Sequence, residues 1–439
     1  MRARPLRCDK SGIASAALFG AVFCAAGSAQ AAAVIDWSIE HQMMQGFGGS
    51  DAFVDAPLTD AQADFYFTTT NGIGLTWLRM GIASDGNLNG GAWSDATKAA
   101  ARGARVWAAP WTAPANWKDN GSETNGGHLC ANTGQGSCDA NHYSDWATRL
   151  AGFATSLKQN AGVDLYALSI QNEPDFTASY ESMLFSNAEF VAFINVLGPK
   201  LAALNPQPLL MAGDYSNWSN VWGMAAAIEA NPSALADTAL YITHQYAGTA
   251  NYQPLARPLW ETEMSSFEGF DPSIGHGVTV AKWIHSAITS GNVSVWHYWW
   301  LYNPYNADNE GLIGSSADRN AITKRAYTLG NYAKFVRPGW TRIDVSGVAS
   351  GNLYVTAYKG QNGNFAVVVA NDSGGDLPFV AGLAHMSAAT VTPWITSATL
   401  DLAAQNSINL VNNELTATVP YGVTTFVGIN DVIFANGFE

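Results

Sequence analysis

Eight short apolar runs, each followed by a loop and most of them by a helical pattern, recur between residues 45 and 300. This repetition constrains the fold more than any other feature of the chain. The runs are 45–50 (QGFGGS), 75–82 (LTWLRMGI), 105–111 (RVWAAPW), 165–172 (LYALSIQN), 208–214 (PLLMAGD), 239–246 (ALYITHQY), 258–264 (PLWETEM) and 294–300 (SVWHYWW). Helical periodicity fills 143–159, 188–204 and 278–290. Strand–helix alternation repeated eight times predicts an α/β fold, a (β/α)8 TIM barrel, whose functional end is the C-terminal end of its strands. An open doubly wound sheet is the alternative, but no glycine-rich phosphate fingerprint follows any run.

After a further helical pattern at 322–336 the texture changes at Arg337-Pro338-Gly339. From 340 to 429, short alternating runs such as NLYVTAYK, NFAVVVAND and VTTFVGI are separated by Gly, Asn and Asp turns, which predicts a side all-β sandwich domain. Residues 33–44 alternate as well and can lend that module a strand. The expected division is 1–31 leader, 32–44 strand for the β-sandwich, 45–336 barrel, 337–429 β-sandwich and 430–439 tail (NDVIFANGFE), to which no role is assigned.

Arg2, Arg4, Arg7 and Lys10, an apolar stretch over 13–26 and then Ala29-Gln30-Ala31 read as a secretory signal cleaved after Ala31. The stretch is too short to span a bilayer, and no later one reaches about 18 uninterrupted apolar residues. A monomer without a membrane anchor is expected, secreted to the extracellular space or the periplasm. Cys8 and Cys24 leave with the leader. Cys130 and Cys138, in HLCANTGQGSCDA, are then expected to form a disulfide closing a Gly/Asn-rich loop. Free thiols or a metal site are the alternatives, and a metal site needs His or Cys neighbours at ligand spacing. A net charge of −14 repels nucleic acid and strongly anionic polymers, so a neutral substrate fits better. No cofactor and no metal are expected.

Glu173, in LSIQNEPD, closes the fourth run and Glu263, in LWETEMSS, the seventh. One carboxylate at a strand end is usually a surface or ion-paired residue. Two, on strands four and seven of a barrel, suit glycosidic bond cleavage, which takes two carboxyl groups in opposite protonation states. Glu173 is expected to be the acid/base, kept protonated while Glu263 beside it is ionised, and Glu263 the nucleophile. Asn172 can donate its amide to a sugar 2-hydroxyl. Glu261 shares a face with Glu263 one layer deeper, as a supporting residue, and Arg79 is its candidate partner. Trp111, Trp117, Tyr246, Trp296, Tyr298 and Tyr302, with His244 nearby, are candidate substrate-binding residues, because aromatic faces stack on sugar rings. Ordinary core packing is the competing reading for each aromatic. His244 reads as a hydrogen-bonding residue rather than an acid–base catalyst.

Taken in order, QGFGGSDAF, WLRMGI, APWTAPANWK, SIQNEPD, HQY, WETE, VWHYWW and KRAYTLGNYAKFVRPGW resemble glycoside hydrolase family 30 over 33–429. The resemblance implies a barrel fused to a side β-sandwich, a retaining mechanism, and Glu173 and Glu263 as acid/base and nucleophile. Within the family the chain looks most like the bacterial endoxylanases. Members that require glucuronic acid read its carboxylate with an arginine in the loop after strand eight. Here that loop, WLYNPYNADNEGLIGSS, has no basic residue before Arg319. The expectation is an endo-β-1,4-xylanase independent of glucuronic acid side groups, with Asn303, Asn306, Asp308 and Asn309 bonding uncharged sugar hydroxyls. Alternatives are a β-1,6-galactan or β-1,6-glucan hydrolase, a glucuronoxylan-specific xylanase, and a non-catalytic glycan-binding barrel, which would need the loss of one carboxylate.

Overall fold

The computed structural model of the chain describes residues 32–303, 305, 307–314 and 320–431. The expected leader, the tail beyond Asp431, Asn306 and Arg319 lie outside the described residues. In chain order the first strands are β1 (Ala33–Met43), β2 (Gly46–Ser50), β3 (Trp77–Ile82), β4 (Arg105–Pro110), β5 (Ala167–Ser169), β6 (Leu209–Asn217), β7 (Thr238–Ala247), β8 (Leu259–Glu263), β9 (Val295–Tyr302) and β10 (Gly311–Ile313). From β2 to β9 each strand pairs in parallel with the next, and β9 pairs with both β8 and β2. That closes the (β/α)8 barrel.

Parallel strands buried on both faces send alternate side chains inward and outward. From β3, Leu78 and Met80 pack outward under the helices while Trp77 packs inward, and Val106 and Ala108 of β4 pack outward while Trp107 and Ala109 pack inward. The inner layers are unusually aromatic. Trp77 lies 4.9 Å from both Trp260 and Tyr166, and Trp107 lies edge-on to His297. Such bulk is accommodated by the glycines of QGFGGS: a Cβ on Gly48 would come within 2.4 Å of the His297 ring.

The helices follow from ordinary signals. Asn187–Ala202 starts at Ser186, whose side chain accepts from the Glu189 amide in a capping box, and Tyr143–Ala161 ends on left-handed Gly162. Cys130 and Cys138 are joined in a disulfide, their Cα atoms 5.6 Å apart, within the long loop after β4.

The second sheet has ten strands. β1 pairs antiparallel with Thr341–Ser346 and parallel with Leu377–Ala384, so the segment before the barrel is built into the sheet that follows it. Phe379 stacks on Phe426 at 6.0 Å although their strands are not neighbours, because the sheet curls back over its own core. Phe365, Val367 and Val369 face that core, and the alternate residues Ala366, Val368 and Ala370 pack with the barrel core. Asn331, buried on helix Lys324–Ala333, donates to Trp394 O and Thr425 Oγ1 and accepts from Thr396 Oγ1, tying the sheet to the barrel.

Candidate active site

The fourth barrel strand is shorter than its apolar run suggests, and this exposes the chemistry. Beyond Ser169 the chain leaves the regular ladder: the Asn172 amide donates to Pro110 O and the Glu173 amide to Asp214 O, both at 2.8 Å. Glu173 (φ 44°) and Asp214 (φ 62°) both adopt left-handed backbone. For residues with a Cβ this costs on the order of 1–3 kcal/mol each, and it persists where the surroundings over-determine the geometry.

Asp214 is the junction of the site. Its carboxylate accepts from Arg79 Nη2 (3.0 Å), His244 Nε2 (3.0 Å), Thr262 Oγ1 (2.5 Å) and Ser169 Oγ (3.3 Å). Burial alone would raise its pKa. The Arg79 and His244 charges and the bonds from His244 and Thr262 prevail and hold it at about 2.

Arg79, wholly buried, donates through Nη1 to Glu263 Oε2 and through Nη2 to Asn172 Oδ1 (2.6 Å) as well as to Asp214. Its guanidinium sits against the Trp107 and Trp111 rings at 5.0 and 4.8 Å. Tyr246 donates its hydroxyl to Glu263 Oε1 at 2.9 Å. Burial lifts the Glu263 pKa above the ordinary carboxylate range against the pull of His244 and Arg79, and the nearby Glu173 and Asp214 carboxylates add to the rise. His244 bonds Glu173 Oε1 through Nδ1 (3.3 Å) and lies 3.9 Å from Glu263. Burial would lower its pKa, but the Glu263 and Asp214 charges and the bonds to Asp214 and Glu173 push it up to about 10.

One oxygen each of Glu173 and Glu263 and one nitrogen of His244 lie within 4.8 Å of one another. His244 engages Asp214 through one ring nitrogen and Glu173 through the other, so it serves as a hydrogen-bonding partner of the carboxylates. Arg79 and His244 bring two positive charges to Asp214, Glu173 and Glu263. One proton on the glutamate pair makes the cluster neutral.

Above these groups lies a cleft of about 700 Å³, lined by Phe53, Trp111, Asn172, Glu173, Phe176, Tyr180, Ser216, Tyr246, Ala247, Glu263, Phe267, Trp299, Trp300 and Glu310. Of the candidates named from sequence, Glu173, Glu263, Asn172, Trp111 and Tyr246 line it. Arg79 and His244 are fully buried beneath it and act on the glutamates rather than on a ligand in the cleft. Arg79 is also not the partner of Glu261, which is wholly buried without a hydrogen bond from any side chain, its pKa raised well above the carboxylate range by burial.

Trp117 lies elsewhere. It stacks on His142 at 5.3 Å under the Arg149 guanidinium, bracing the disulfide loop. Trp296 and Tyr298 point outward into the helix-facing core, and half-buried Tyr302 packs at its edge without lining the cleft. On β9 the inward set is Val295, His297 and Trp299, one residue out of phase with the expected one. A ladder irregularity against β2 beyond His297 brings Trp300 inward too. Trp299 and Trp300 are thus the cleft aromatics of that strand. Asn303 and Asn309 are no more than 1% exposed, and Asp308 accepts from Asn303 Nδ2, so neither asparagine reaches the cleft to bond a sugar. Sequence pattern does not single out Asp214, Phe53, Phe176, Tyr180, Phe267 or Glu310 for the site. Of these only Asp214 carries a signal, as the acid closing the fifth apolar run.

A family model described as the glycosyl hydrolase family 30 TIM-barrel domain matches residues 83–222. Glucuronoxylanase XynC of Bacillus subtilis (strain 168) is 29% identical over 407 residues, 90% of each chain. Among solved structures, the glycoside hydrolase family 30 subfamily 8 xylanase Xyn30A from Clostridium acetobutylicum is 30% identical. That match covers 91% of this chain and 99% of the other, with a TM-score of 0.77. An endo-β1,6-glucanase at 18% identity, covering 91% of this chain and 94% of its own with a TM-score of 0.69, shares the fold.

Proposed function

We propose that this chain, which belongs to glycosyl hydrolase family 30 and is a glycoside hydrolase, acts as a secreted, retaining endo-β-1,4-xylanase that does not depend on glucuronic acid side groups. The observation that carries the mechanism is the separation of Glu173 and Glu263 oxygens, within 4.8 Å. Retaining enzymes hold their carboxyl groups roughly 5–5.5 Å apart, whereas inverting ones leave about 6.5–9.5 Å for a water.

Both oxygens of Glu263 accept from donors, Arg79 and Tyr246, an environment that suits the carboxylate nucleophile. Glu263 attacks the anomeric carbon while Glu173 protonates the leaving oxygen. Once Glu263 is esterified, Glu173 deprotonates the incoming water and the ester is hydrolysed. Asn172 gives its carbonyl to Arg79, which leaves its NH2 group to donate to the sugar 2-hydroxyl. Trp111, Trp299, Trp300, Phe176 and Phe267 supply faces for pyranose rings.

Xylan as the substrate is supported by the similarity to family 30 xylanases. Independence of glucuronate is supported by the cleft lining, which includes Glu173, Glu263 and Glu310 and, among the described residues, no lysine or arginine. The similarity to a glucuronoxylanase favours the second reading, a strict need for the side group. Product analysis on unsubstituted xylan, glucuronoxylan, β-1,6-galactan and β-1,6-glucan separates these. Comparable cleavage of the first two is expected. Cleavage confined to glucuronoxylan would establish the second reading, and cleavage of a β-1,6 polymer alone would reject xylan. Secretion rests on the basic and apolar character of 1–31. N-terminal sequencing of exported protein is expected to begin at Ala32, and an unprocessed Met1 would refute export by this route.

A further inference from the structure

We propose that Asn309 and Arg325 are positioning residues for polymer binding, locking the segment after β8 to the segment after β9 so that the two form one wall of the cleft. The inference rests on the assignment of the cleft as the polysaccharide site.

The first segment runs from Met264 to Ser273, ahead of helix Ile274–Thr289, and carries Phe267. The second follows Tyr302 and carries Glu310. Both residues line the cleft, and the Phe267 ring lies 5.6 Å from that of Tyr246, the residue that donates to Glu263. No apolar side chain is buried between Ser265 and Ile274, so packing does not place this segment. Polar contacts do.

Asn309 Oδ1 accepts from the Asp271 amide (2.7 Å) and from Arg325 Nη1 (3.0 Å), and Nδ2 donates to Gly269 O (3.2 Å). Its own amide donates to Ser266 O and its carbonyl accepts from the Tyr298 hydroxyl. Arg325, fully buried on helix Lys324–Ala333, donates to Asp271 O (2.8 Å) from one segment and through Nε to Gly311 O (2.8 Å) from the other, and lies over the Phe270 ring. A single amide side chain therefore bonds both to the neighbouring segment and to the guanidinium that spans the two. The two backbones themselves are joined by Asn309 N donating to Ser266 O (3.2 Å) and Phe270 N donating to Ala307 O (2.9 Å), and the Asn309 and Arg325 side chains add to these the bonds to Gly269 and Asp271.

Losing two or three such bonds frees a segment that has no apolar anchor, and the loss falls on the ordering of the wall rather than on the glutamates. For Asn309→Ala, amide hydrogen exchange over 266–271 is expected to quicken by at least about tenfold. KM for the polymer is expected to rise about tenfold while saturated kcat stays within about twofold. Asn309→Asp keeps both accepted bonds and is expected to recover most of the KM. Unchanged exchange over 266–271, or a fall in kcat with KM constant, would overturn the proposal. If Asn309→Ala does not fold, Arg325→Lys, which loses the guanidinium fork, is read by the same two measurements. Should the wild type cut none of the polymers tested, the assignment of function fails, and hydrogen exchange still decides whether Asn309 locks the wall.

Discussion

The charged cluster beneath the barrel mouth and the core of the side sheet are both buried, yet they are built on opposite principles. In the side sheet Ile35, Phe365, Val367, Phe379, Leu415 and Phe426 meet as apolar surfaces, and ordinary strand alternation places them. At the mouth, Arg79, Asp214, His244 and Glu263 are buried with charges in mutual contact, and two residues are held in left-handed backbone. Apolar packing of this kind stabilises and is indifferent to chemistry. Buried charge costs desolvation free energy and is held by reciprocal bonding, so each member depends on the others.

Removing the cation should break the mouth most completely. In Arg79→Ala the Asp214 and Glu263 carboxylates face each other without it. A loss of about 3–5 kcal/mol in denaturant unfolding is expected, with a fall of at least about 10³-fold in kcat/KM. Activity within tenfold of wild type would mean that Arg79 is a packing residue.

Asp214→Asn tests coupling within the cluster, with a smaller loss of turnover, about tenfold to a hundredfold. The His244 pKa is raised from 6.5 to about 10, so the stability it contributes is complete below pH 6.5 and disappears as pH rises through about 10. Asp214 has the opposite sign: its contribution is present above its ordinary value of 3.8 and lost as pH falls through about 2. The substitution removes the acid-side loss and moves the alkaline-side loss to lower pH, because His244 keeps Glu173 and Glu263 but loses Asp214. Thermal unfolding followed from pH 6 to 10 measures this. A variant whose alkaline limb coincides with that of wild type would separate His244 from Asp214.

The contrasting change belongs to the sheet. Leu415→Ala is expected to cost about 2–5 kcal/mol of stability and to leave kcat and KM within about twofold at a temperature where the variant is folded. A changed KM would show that the sheet contributes to binding.

The same contrast explains which features are legible in the sequence. Strand alternation and apolar runs are local, so the barrel and the β module are visible there, and Glu173 and Glu263 stand out as acids closing apolar runs. Parity within β9 is not legible. VWHYWW offers an aromatic or histidine at every position after Val295, so only the register against β2 decides that His297 and Trp299 face inward while Trp296 and Tyr298 face the helices, and the ladder irregularity beyond His297 adds Trp300 to the cleft. Asp214 also closes an apolar run, but its role depends on four partners from four other strands, a long-range arrangement that the local pattern does not reveal. Trp117 is misleading for a related reason: APWTAPANWK suggests a rim, but the loop folds back so that His142 and Arg149 enclose the ring.

The most direct test of the paired-carboxylate account is proton NMR of the anomeric signals during the first minutes of polymer hydrolysis, before mutarotation equilibrates them. Two glutamates with oxygens within 4.8 Å predict that the β-anomer of the new reducing end appears first and the α-anomer follows at the mutarotation rate. An α-anomer appearing first would mean single displacement by water, and Glu263 would not be a nucleophile.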